Sequence, residues 1–544
     1  MAERLWLKNY PVRWKLDYPE ISLYQYIKAA TDDYPDLVAL VFFGNEITFR
    51  EMHENIDRIA AALAGLGVKK GDRVALMMPN CPQYVYTFYA CMKLGAVVVQ
   101  VNPLYTSSEI EFILNDSQAR VFVGADAVFG AFHDVRDKVP VESVIVTRLI
   151  WAEVEGENLW FEDLLQQDFP APEMAEINAK DDLAVFQYTG GTTGFPKAAM
   201  LTHYNLTCNV IQVKEWISDW IEEKFKEKVA QHYGLAVLPF FHSYGLTCVM
   251  NVGLSLPSGQ VLVPRFDLDA ILELIKQYRP ALLPAVPTIY IAIANHPDAD
   301  KYNIDAVEIC NSGAAPMPVD TMARYEERTG SKILEGYGLS EASPVTHCNP
   351  LKGTRKPGSI GMPYPDTDCK IVDIDTGLTE VPIGEAGELI IKGPQVMKGY
   401  WNRPEETAAT LRDGWLYTGD IAKMDEDGYF YIVDRKKDMV ITGGYNVYPR
   451  EIDEVLFECP KIAEAVTVGQ KDDYYGEVLK AYVVLREGES ATVDEILDFC
   501  KQKLAKYKIP REVEFRSELP KSAVGKILRR VLLEEETKKK EALE

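Results

Sequence analysis

Paired cysteines are missing from this 544-residue sequence. Its nine cysteines are an odd number, and no two of them stand in a C-x-x-C pair, so the sequence predicts neither a disulfide framework nor a cysteine metal site. Unpaired cysteines are typical of a reducing compartment, and we expect a cytoplasmic protein. No apolar segment follows the first residues, Met1–Arg4, so we expect no secretion signal.

Positive charge is also scarce, since 58 Lys and Arg residues face 82 Asp and Glu residues and the net charge is −24. Nucleic-acid backbones are bound through basic surfaces, so this deficit argues against a nucleic-acid partner. Residues 234–264 contain no Asp, Glu, Lys or Arg. They include Pro239, His242 and Asn251, which a lipid-facing helix would carry at a cost. We therefore interpret this stretch as buried core that lines a pocket, and we predict no membrane span.

Short strands alternate with helices along much of the chain. In residues 36–120, the capping box Thr48–Glu51 precedes an apolar stripe with helical spacing, and Ala96–Val101 is a predicted buried strand. Such alternation indicates a largely parallel sheet, and it continues over residues 183–345 before a β-rich region, 355–433. We predict an α/β protein of more than one domain, because 544 residues exceed a single compact core.

A short charged segment, Asp434–Asp438, is the best candidate for a hinge between domains. It follows a predicted β-hairpin whose Asp-Gly pair, ending at Gly428, suits a turn with positive φ. We predict an N-terminal domain of residues 1–433 and a C-terminal α+β domain of residues 439–544, joined by this hinge.

The most informative motif is Tyr188–Lys197, directly after the apolar run Leu183–Phe186. Glycines let backbone N–H groups wrap an anion, threonine hydroxyls add donors, and the lysine adds a charge. This pattern predicts a polyphosphate site, although not a Walker A loop, because Phe195-Pro196 separates the last glycine from the lysine. A surface hairpin rich in Gly and Thr is the alternative. The candidate residues are Thr189, Gly190, Gly191, Thr192, Thr193, Gly194 and Lys197.

Four further segments carry chemistry that suits a nucleotide. A turn of small residues, Asn311–Pro316, leaves room for a flat base against the backbone. Glu335–Glu341 offers an aromatic face, a hydroxyl and a carboxylate, and Asp413–Asp420 ends in an acid suited to the two hydroxyls of a ribose. Leu519–Arg530 places Lys526 after a glycine. Each segment alone is equally well explained by a structural role, so the argument depends on their joint occurrence in this order.

In this order the motifs resemble those of the adenylate-forming superfamily, which includes acyl-CoA synthetases, adenylation domains and beetle luciferases. The resemblance covers about residues 20 to 530 and is strongest to medium- and long-chain fatty-acyl-CoA ligases, through the strings Asp413–Asp438 and Met439–Glu451. It implies a large N-terminal domain of layered α/β subdomains with a β-rich subdomain, followed by a small, mobile α+β C-terminal domain.

The resemblance also implies a two-step ligation of a carboxylic acid to CoA. The carboxylate attacks the α-phosphorus of ATP, which expels pyrophosphate and leaves an acyl-AMP. The CoA thiol then attacks the acyl-AMP and gives acyl-CoA and AMP. Charge builds on the phosphates in the first step, so fixed cations and donors should lower its barrier. Mg²⁺ is the implied cofactor, with ATP and CoA as co-substrates.

The resemblance assigns catalysis to Lys526, Glu341 and Thr189. Thr189–Lys197 would hold the β- and γ-phosphates, and the oxygen ligands of Thr189 and Glu341 would form the Mg²⁺ site. Lys526 matches the lysine that bridges the carboxylate and the α-phosphate. The other implied nucleotide-binding residues are Gly313, Ala314, Pro316, Gly336, Tyr337, Gly338 and Ser340 around adenine and the α-phosphate, and Asp420 and Arg435 at the ribose.

For the second step, the family swings its C-terminal domain about the hinge, because the thiol must arrive where the lysine stood. The CoA-binding residues implied by the resemblance are Lys437, Gly443 and Gly444. The chain departs from the family pattern at Gly190, where many members have Ser, and at Ala198, where Gly is common. Neither change removes a residue that the chemistry requires.

The segment Leu238–Gly245 matches the family stretch that lines the acyl pocket. Amino-acid adenylation domains usually place an Asp there, whereas this chain has His242 and no acid, which disfavours an amino acid. Phe241 and Tyr244 favour an apolar acyl or aryl chain. A satisfied core histidine is the alternative for His242, and the chain length stays open.

Several functions therefore remain in competition with a fatty-acyl-CoA ligase. They are an aryl-acid CoA ligase, a fatty-acyl-AMP ligase, a luciferase-like oxygenase and, more remotely, a non-catalytic acyl or nucleotide sensor. The expected partners are a small carboxylic acid, ATP and CoA. Peripheral membrane contact and a homodimer are compatible with the resemblance.

Overall fold

The computed structural model describes residues 4–189, 196–225, 230–442, 445–472, 475–522 and 525–541. Within these ranges the chain forms 26 strands and 16 α-helices. The strands are β1 (Val38–Phe42), β2 (Asn45–Thr48), β3 (Arg73–Met77), β4 (Val97–Gln100), β5 (Val121–Ala125), β6 (Ser143–Thr147), β7 (Leu159–Trp160), β8 (Leu183–Thr189), β9 (Lys197–Thr202), β10 (His232–Ala236), β11 (Ser258–Leu262), β12 (Leu282–Ala285), β13 (Ile309–Ser312), β14 (Ile333–Gly338), β15 (Val345–Cys348), β16 (Met362–Pro363), β17 (Asp368–Val372), β18 (Gly387–Lys392), β19 (Leu411–Arg412), β20 (Trp415–Met424), β21 (Phe430–Arg435), β22 (Val440–Thr442), β23 (Tyr445–Val447), β24 (Ile462–Asp472), β25 (Gly476–Leu485) and β26 (Glu512–Phe515).

The helices differ widely in length, and the longest has 17 residues. They are α1 (Leu23–Thr31), α2 (Phe49–Gly65), α3 (Pro82–Leu94), α4 (Ser107–Ser117), α5 (Gly130–His133), α6 (Phe161–Leu164), α7 (His203–Trp216), α8 (Ser218–Phe225), α9 (Val252–Leu254), α10 (Leu268–Tyr278), α11 (Pro287–Asn295), α12 (Val319–Thr329), α13 (Pro404–Thr410), α14 (Pro449–Phe457), α15 (Val493–Lys503) and α16 (Arg529–Glu541). Gly245–Asn251, just before α9, is wound as a π-helix.

A seven-stranded sheet in the order β7-β6-β5-β3-β4-β8-β9 forms the first layer. All neighbouring strands in it are parallel except the hairpin pair β8 and β9. Side chains alternate between two cores, with Val74 and Leu76 on one face of β3 and Ala75 and Met77 on the other. Both faces are thus buried, which explains why β3 to β5 read as nearly continuous apolar runs.

A nine-stranded sheet in the order β16-β15-β14-β13-β12-β10-β11-β1-β2 forms the second layer. Its inner strands β14, β13, β12, β10, β11 and β1 are parallel, so their carboxyl ends lie along one edge. The uncharged stretch 234–264 supplies most of β10, the π-helix and β11, and most of its residues are buried while none is exposed. In the part of the chain that the structure describes, no helix is both long and apolar enough to cross a membrane.

A β-rich unit follows the two large sheets, as predicted. It is a five-stranded antiparallel sheet in which β17, β18, β20 and β19 are adjacent and β21 pairs with β20. The β20–β21 hairpin sets Asp420 opposite Arg435 in register. Its turn ends at Gly428, which has a φ of +82°, in agreement with the Asp-Gly turn signal.

The last unit is small and has its own core. Its sheet has the order β23-β22-β25-β24, with β26 paired with β25. Helices α14 and α15 cover this sheet, with Ile452, Leu456 and Ile496 in its core. The predicted α/β class, with a large N-terminal domain and a smaller C-terminal domain, is therefore confirmed, while the boundaries at residues 433 and 439 stay predictions.

The turn at Gly428 yields a test of the packing. A Cβ atom at this position would lie 2.3 Å from the backbone nitrogen of Trp6, whereas Gly384, with a similar φ of +87°, has no atom within 4 Å of such a Cβ. Gly384→Ala should cost about 1–2 kcal/mol of unfolding free energy, from its left-handed φ alone. Gly428→Ala should cost about 1–3 kcal/mol more, because the chain must move. Equal losses of stability in urea denaturation would contradict the close approach of the N-terminal segment to the hairpin.

Candidate active site

The candidate residues gather at the carboxyl edge of the nine-stranded sheet. The loop after β10 carries His242, the turn after β13 carries Gly313, and the end of β14 carries Tyr337. In parallel sheets this edge is the usual binding site, because the strand-to-helix loops converge there. The parallel topology thus explains how residues spread over a hundred positions of sequence meet at one site.

Tyr337 links this edge to the β-rich unit. Its hydroxyl donates to Asp420 Oδ2 at 2.5 Å, and Asp420 Oδ1 lies 3.6 Å from Arg435 Nε. Burial and the neighbouring carboxylate of Asp420 raise the pKa of Tyr337 above its ordinary value, so the phenol stays a donor. The structure therefore brings together three of the residues predicted for the nucleotide.

Ser340 and the small residues line the space next to Tyr337. Ser340 begins a short 3-10 turn, and its Oγ lies 3.2 Å from Oγ of Ser243, which sequence reasoning missed. A Cβ on Gly338 would lie 2.3 Å from the Pro344 carbonyl oxygen, and one on Gly336 would lie 3.2 Å from the His347 carbonyl oxygen. Gly338 is thus required for backbone packing, independently of any ligand, whereas a side chain at Gly336 would need only a small shift of its neighbour.

The turn after β13 has two unusual positions. A Cβ on Gly313 would lie 3.1 Å from the ring of Tyr244, and Ala314 has a φ of +67°. Pro316 is exposed two residues later. The Tyr244 hydroxyl donates to the carbonyl oxygen of Asn311 at 2.9 Å. Tyr244 therefore packs its ring across the same turn that is predicted to receive adenine.

His242 and Phe241 lie in the loop between β10 and the π-helix. Burial lowers the pKa of His242 to about 4, and the charge of Lys526 acts in the same direction. The backbone N–H of Tyr244 donates to His242 Nδ1 at 3.2 Å, so the imidazole is neutral and partnered. Phe241 is half-buried, and its carbonyl oxygen accepts from Gln187 Nε2 at 3.1 Å.

Glu341 lies opposite the strand that contains Lys197. The Tyr400 hydroxyl donates to Glu341 Oε1 at 2.8 Å, and Lys197 Nζ stands 5.5 Å from the centre of the Tyr400 ring. Thr189 pairs with Lys197 across the β8–β9 hairpin. Sequence reasoning missed Tyr400, because it reaches this site through a long-range pairing of its segment with β9, which includes the bridge between Ala199 and Tyr400.

Oxygen atoms dominate this part of the site. No group of three or more His, Cys, Asp or Glu side chains that could hold a metal occurs among the described residues. The hydroxyl of Thr189 and the carboxylate of Glu341 fit a hard cation such as Mg²⁺, which takes one or two protein oxygens and completes its shell with water and phosphate. Gly190, Gly191, Thr192, Thr193 and Gly194 lie outside the described residues.

Lys526 comes to the site from the C-terminal unit. Burial lowers its pKa to about 7, Arg435 and Lys437 act in the same direction, and Asp420 and Asp438 oppose them. Its neighbour Gly525 has a φ of +72°, and a Cβ there would lie 2.8 Å from Thr288 Oγ1, after β12. The loop is therefore docked on the N-terminal domain with the lysine among the nucleotide candidates.

Lys437 is the described member of the predicted CoA group. Burial, followed by the charge of Arg435, lowers its pKa. Gly443 and Gly444 lie outside the described residues. Of the three residues predicted to contact CoA, the structure therefore describes Lys437 alone.

Comparison with known proteins places this geometry in a family. Residues 27–401 match the model described as AMP-binding enzyme, and residues 451–526 match the model of the AMP-binding enzyme C-terminal domain. The chain is 44% identical to a long-chain-fatty-acid–CoA ligase of Bacillus subtilis (strain 168), over 98% of this chain and 99% of that protein. It is 37% identical to a feruloyl-CoA synthase of an Amycolatopsis species, over 91% of this chain and 95% of that protein.

A solved structure has the same overall fold. The crystal structure of the anthranilate CoA ligase AuaEII in complex with anthranoyl-AMP superposes with a TM-score of 0.85 at 27% identity, over 94% of this chain and 97% of that one. The resemblance to the adenylate-forming superfamily is confirmed by these matches. The chain belongs to the family of AMP-binding enzymes.

Proposed function

We propose that this protein is an ATP-dependent fatty acid–CoA ligase that works through an acyl-AMP intermediate. The observation that carries the proposal is the docked position of Lys526 beside Asp420, Arg435 and His242. The near full-length similarity to a long-chain-fatty-acid–CoA ligase supports the same function.

In the first step, Lys526 supplies positive charge where the carboxylate meets the α-phosphate. A carboxylate is a poor acyl donor because its leaving group would be an oxide, and its transfer to AMP replaces that oxide with a stable phosphate leaving group. Negative charge grows on the phosphates as pyrophosphate leaves, so a cation fixed in a half-buried site lowers the barrier. A lysine suits this task, because it is a compact charge on a flexible stem.

The nucleoside end is held by groups that the fold has already positioned. Asp420 is oriented by the Tyr337 hydroxyl and by Arg435, so its carboxylate is ready to accept from the two ribose hydroxyls. The backbone of Gly313, Ala314, Pro316, Gly336 and Gly338 is proposed to line the adenine, and Ser340 is proposed to reach the α-phosphate. Preorganised donors and acceptors of this kind cost little rearrangement during the reaction.

Mg²⁺ completes the proposal as a cofactor held by Thr189 and Glu341. The ion would neutralise phosphate charge when bound. Tyr400 orients Glu341 through its hydroxyl, and the ring of Tyr400 lies under the ammonium of Lys197. Thr189–Lys197 as a whole is proposed to hold the β- and γ-phosphates.

The acid is proposed to be an aliphatic fatty acid. The pocket side of the site is formed by Phe241, Tyr244 and the uncharged stretch that follows, and His242 is neutral there. Such walls suit an apolar chain and provide no partner for an ammonium group.

The second step requires the C-terminal domain to rotate about residues 434–438, and Lys437, Gly443 and Gly444 are proposed to contact CoA. The proposal also includes a cytoplasmic location, peripheral contact with membranes and a homodimer.

The first test is a substrate panel. AMP formation with Mg²⁺ and ATP is measured over linear acids of rising length and over aryl acids, with and without CoA. The wild-type protein should show CoA-dependent turnover that peaks at one aliphatic length. Lys526→Ala should lower the rate of acyl-AMP formation by about a hundredfold or more. The matched control Lys521→Ala removes a lysine of the same loop that pairs with Glu464, and should leave the rate unchanged.

Other outcomes of the panel would replace the proposal. A preference for aryl acids would indicate an aryl-acid CoA ligase. Pyrophosphate release that does not respond to CoA would indicate an acyl-AMP ligase with another acceptor. Tight ATP binding without turnover of any acid would indicate a sensor.

A second prediction concerns Tyr400. Tyr400→Phe removes the hydroxyl that donates to Glu341 and leaves the ring in place. Groups that orient a metal ligand typically contribute tenfold or more to metal affinity, so half-maximal activity should require about tenfold more Mg²⁺. Tyr417→Phe is the control, since this hydroxyl donates to the carbonyl oxygen of Gly377 in the same β-rich unit. An unchanged Mg²⁺ titration in Tyr400→Phe would refute the assignment.

A third prediction uses the low pKa of Lys526. With a pKa of about 7, the free enzyme holds this lysine mainly neutral at pH 8 and mainly charged at pH 6. Bound polyphosphate favours the charged form and raises the pKa, so ATP binding at pH 8 should take up roughly 0.9 of a proton through this group, and far less at pH 6. Calorimetry in buffers of different protonation enthalpy measures this uptake. Equal proton uptake in wild type and Lys526→Ala would contradict the role of the lysine.

A further inference from the structure

One guanidinium, that of Arg529, contacts three carboxylates at the predicted hinge. Its Nη2 lies 2.6 Å from Asp453 Oδ2, while its Nη1 lies 3.4 Å from Asp438 Oδ2 and 3.6 Å from Asp434 Oδ1. Asp434 is 3% exposed and Asp453 is 7% exposed. Arg529 is the first residue of α16 and follows Lys526 by three positions. The cluster is therefore close in sequence to the lysine and close in space to the hinge.

Asp434 is the carboxylate of this cluster that belongs to the β-rich unit. It lies in β21, which is paired with β20, the strand of Asp420. Besides the contact with Arg529, its carboxylate accepts from the backbone N–H of Arg435 at 2.7 Å and from that of Arg450 at 2.9 Å. Arg450 is in the first turn of α14, so one carboxylate of the β-rich unit binds two separate elements of the C-terminal unit.

The loop between Arg529 and Lys526 transmits this anchoring. Leu528 N–H donates to the carbonyl oxygen of Pro520 at 2.8 Å, and Lys521 forms a β-bridge with Ile527. The Lys526 N–H donates to Ser522 Oγ at 3.2 Å. These bonds make the described part of the loop a compact turn, so fixing Arg529 also fixes the backbone of Lys526.

Docking this loop has an electrostatic cost that the cluster can offset. Lys526 enters a site that already contains Arg435 and Lys437, and like charges at short range repel. Undocking would separate Arg529 from the buried carboxylate of Asp434, so this contact favours the docked arrangement.

We infer that Arg529 and Asp434 are positioning residues, which form a tie between the domains that holds Lys526 in place for the acyl-AMP step. The inference rests on the proposed function of Lys526. Neither residue needs to touch ATP or the acid, since both act through the docked loop. Loss of the tie should therefore impair the step that uses Lys526 and spare the step that follows domain rotation.

The test replaces Asp434 by the isosteric Asn, which removes the charge that faces Arg529 and keeps one of the two oxygens that accept from backbone N–H groups. Asp434→Asn should slow pyrophosphate release in acyl-AMP formation about tenfold, as expected for loss of a charge-assisted contact. The reaction of supplied acyl-adenylate with CoA should stay within about twofold of wild type. Asp434→Glu keeps the charge and should restore much of the first rate.

The matched control is Asp425→Asn. Asp425 is an ion-paired carboxylate in the turn of the same hairpin, where it binds Lys356 and contacts no C-terminal residue in the described contacts. It should leave both half-reactions near the wild-type rates. If Asp434→Asn slows both half-reactions equally, the defect is a general one of folding and the inference is overturned. Wild-type rates in both half-reactions would also overturn it.

A second readout does not depend on catalysis. The Cβ position of Gly525 lies 2.8 Å from Thr288 Oγ1, a separation that suits a disulfide between Gly525→Cys and Thr288→Cys. Eight of the nine native cysteines are buried. Oxidation should trap the docked loop, and adding Asp434→Asn should slow this trapping about tenfold. An unchanged trapping rate would overturn the tie between Arg529 and Asp434, whether or not the protein is a ligase. Slowed trapping in a protein without ligase activity would support the tie and refute the proposed function alone.

Discussion

The gathering of several cations in one site is the constraint on which the rest of the structure depends. Lys526, Arg435 and Lys437 lie close enough for the two other charges to lower the pKa of Lys526, in a protein whose net charge is −24. The carboxylates of Asp420 and Asp438 oppose that effect. Two carboxylates balance three cations incompletely, and a polyphosphate would supply the missing negative charge. Burial is the first cause of the low pKa of Lys526, and the two neighbouring cations add to it.

Topology decides where these charges meet. Four parallel strands end at the same edge of the nine-stranded sheet, and each delivers a loop to the site. The β8–β9 hairpin brings Lys197 from the seven-stranded sheet, the β20–β21 hairpin brings the pair Asp420 and Arg435, and the last unit brings Lys526. The two large sheets and the β-rich unit share one hydrophobic core, whereas the last unit has its own. The last unit therefore has the internal core that the proposed rotation of this unit would require.

The sequence predicted those parts of the molecule that depend on local rules. The capping box at Thr48 starts α2, and the Asp-Gly pair at Gly428 forms the expected turn, because caps and turns need only neighbouring residues. Tyr400 could not be found in the same way. It reaches Glu341 only because its segment pairs with β9, 200 positions earlier, and such pairing depends on the packed sheets rather than on a local pattern. Arg529 was likewise hidden, since its partners lie 76 to 95 residues away.

The distances around Arg529 fit the proposed rotation of the C-terminal domain. Its shortest contact, 2.6 Å, is with Asp453 in α14 of its own unit, while the contact with Asp434 across the boundary is longer, at 3.6 Å. A guanidinium held by Asp453 of its own domain keeps its orientation when the domain rotates, and its longer contact with Asp434 breaks together with the bond from the Arg450 N–H to Asp434. Had the short contact faced Asp434, the buried arginine would lose its best partner at each rotation, and the cost would slow the second step. The unequal distances therefore give a tie that is strong enough to dock Lys526 and weak enough to release it.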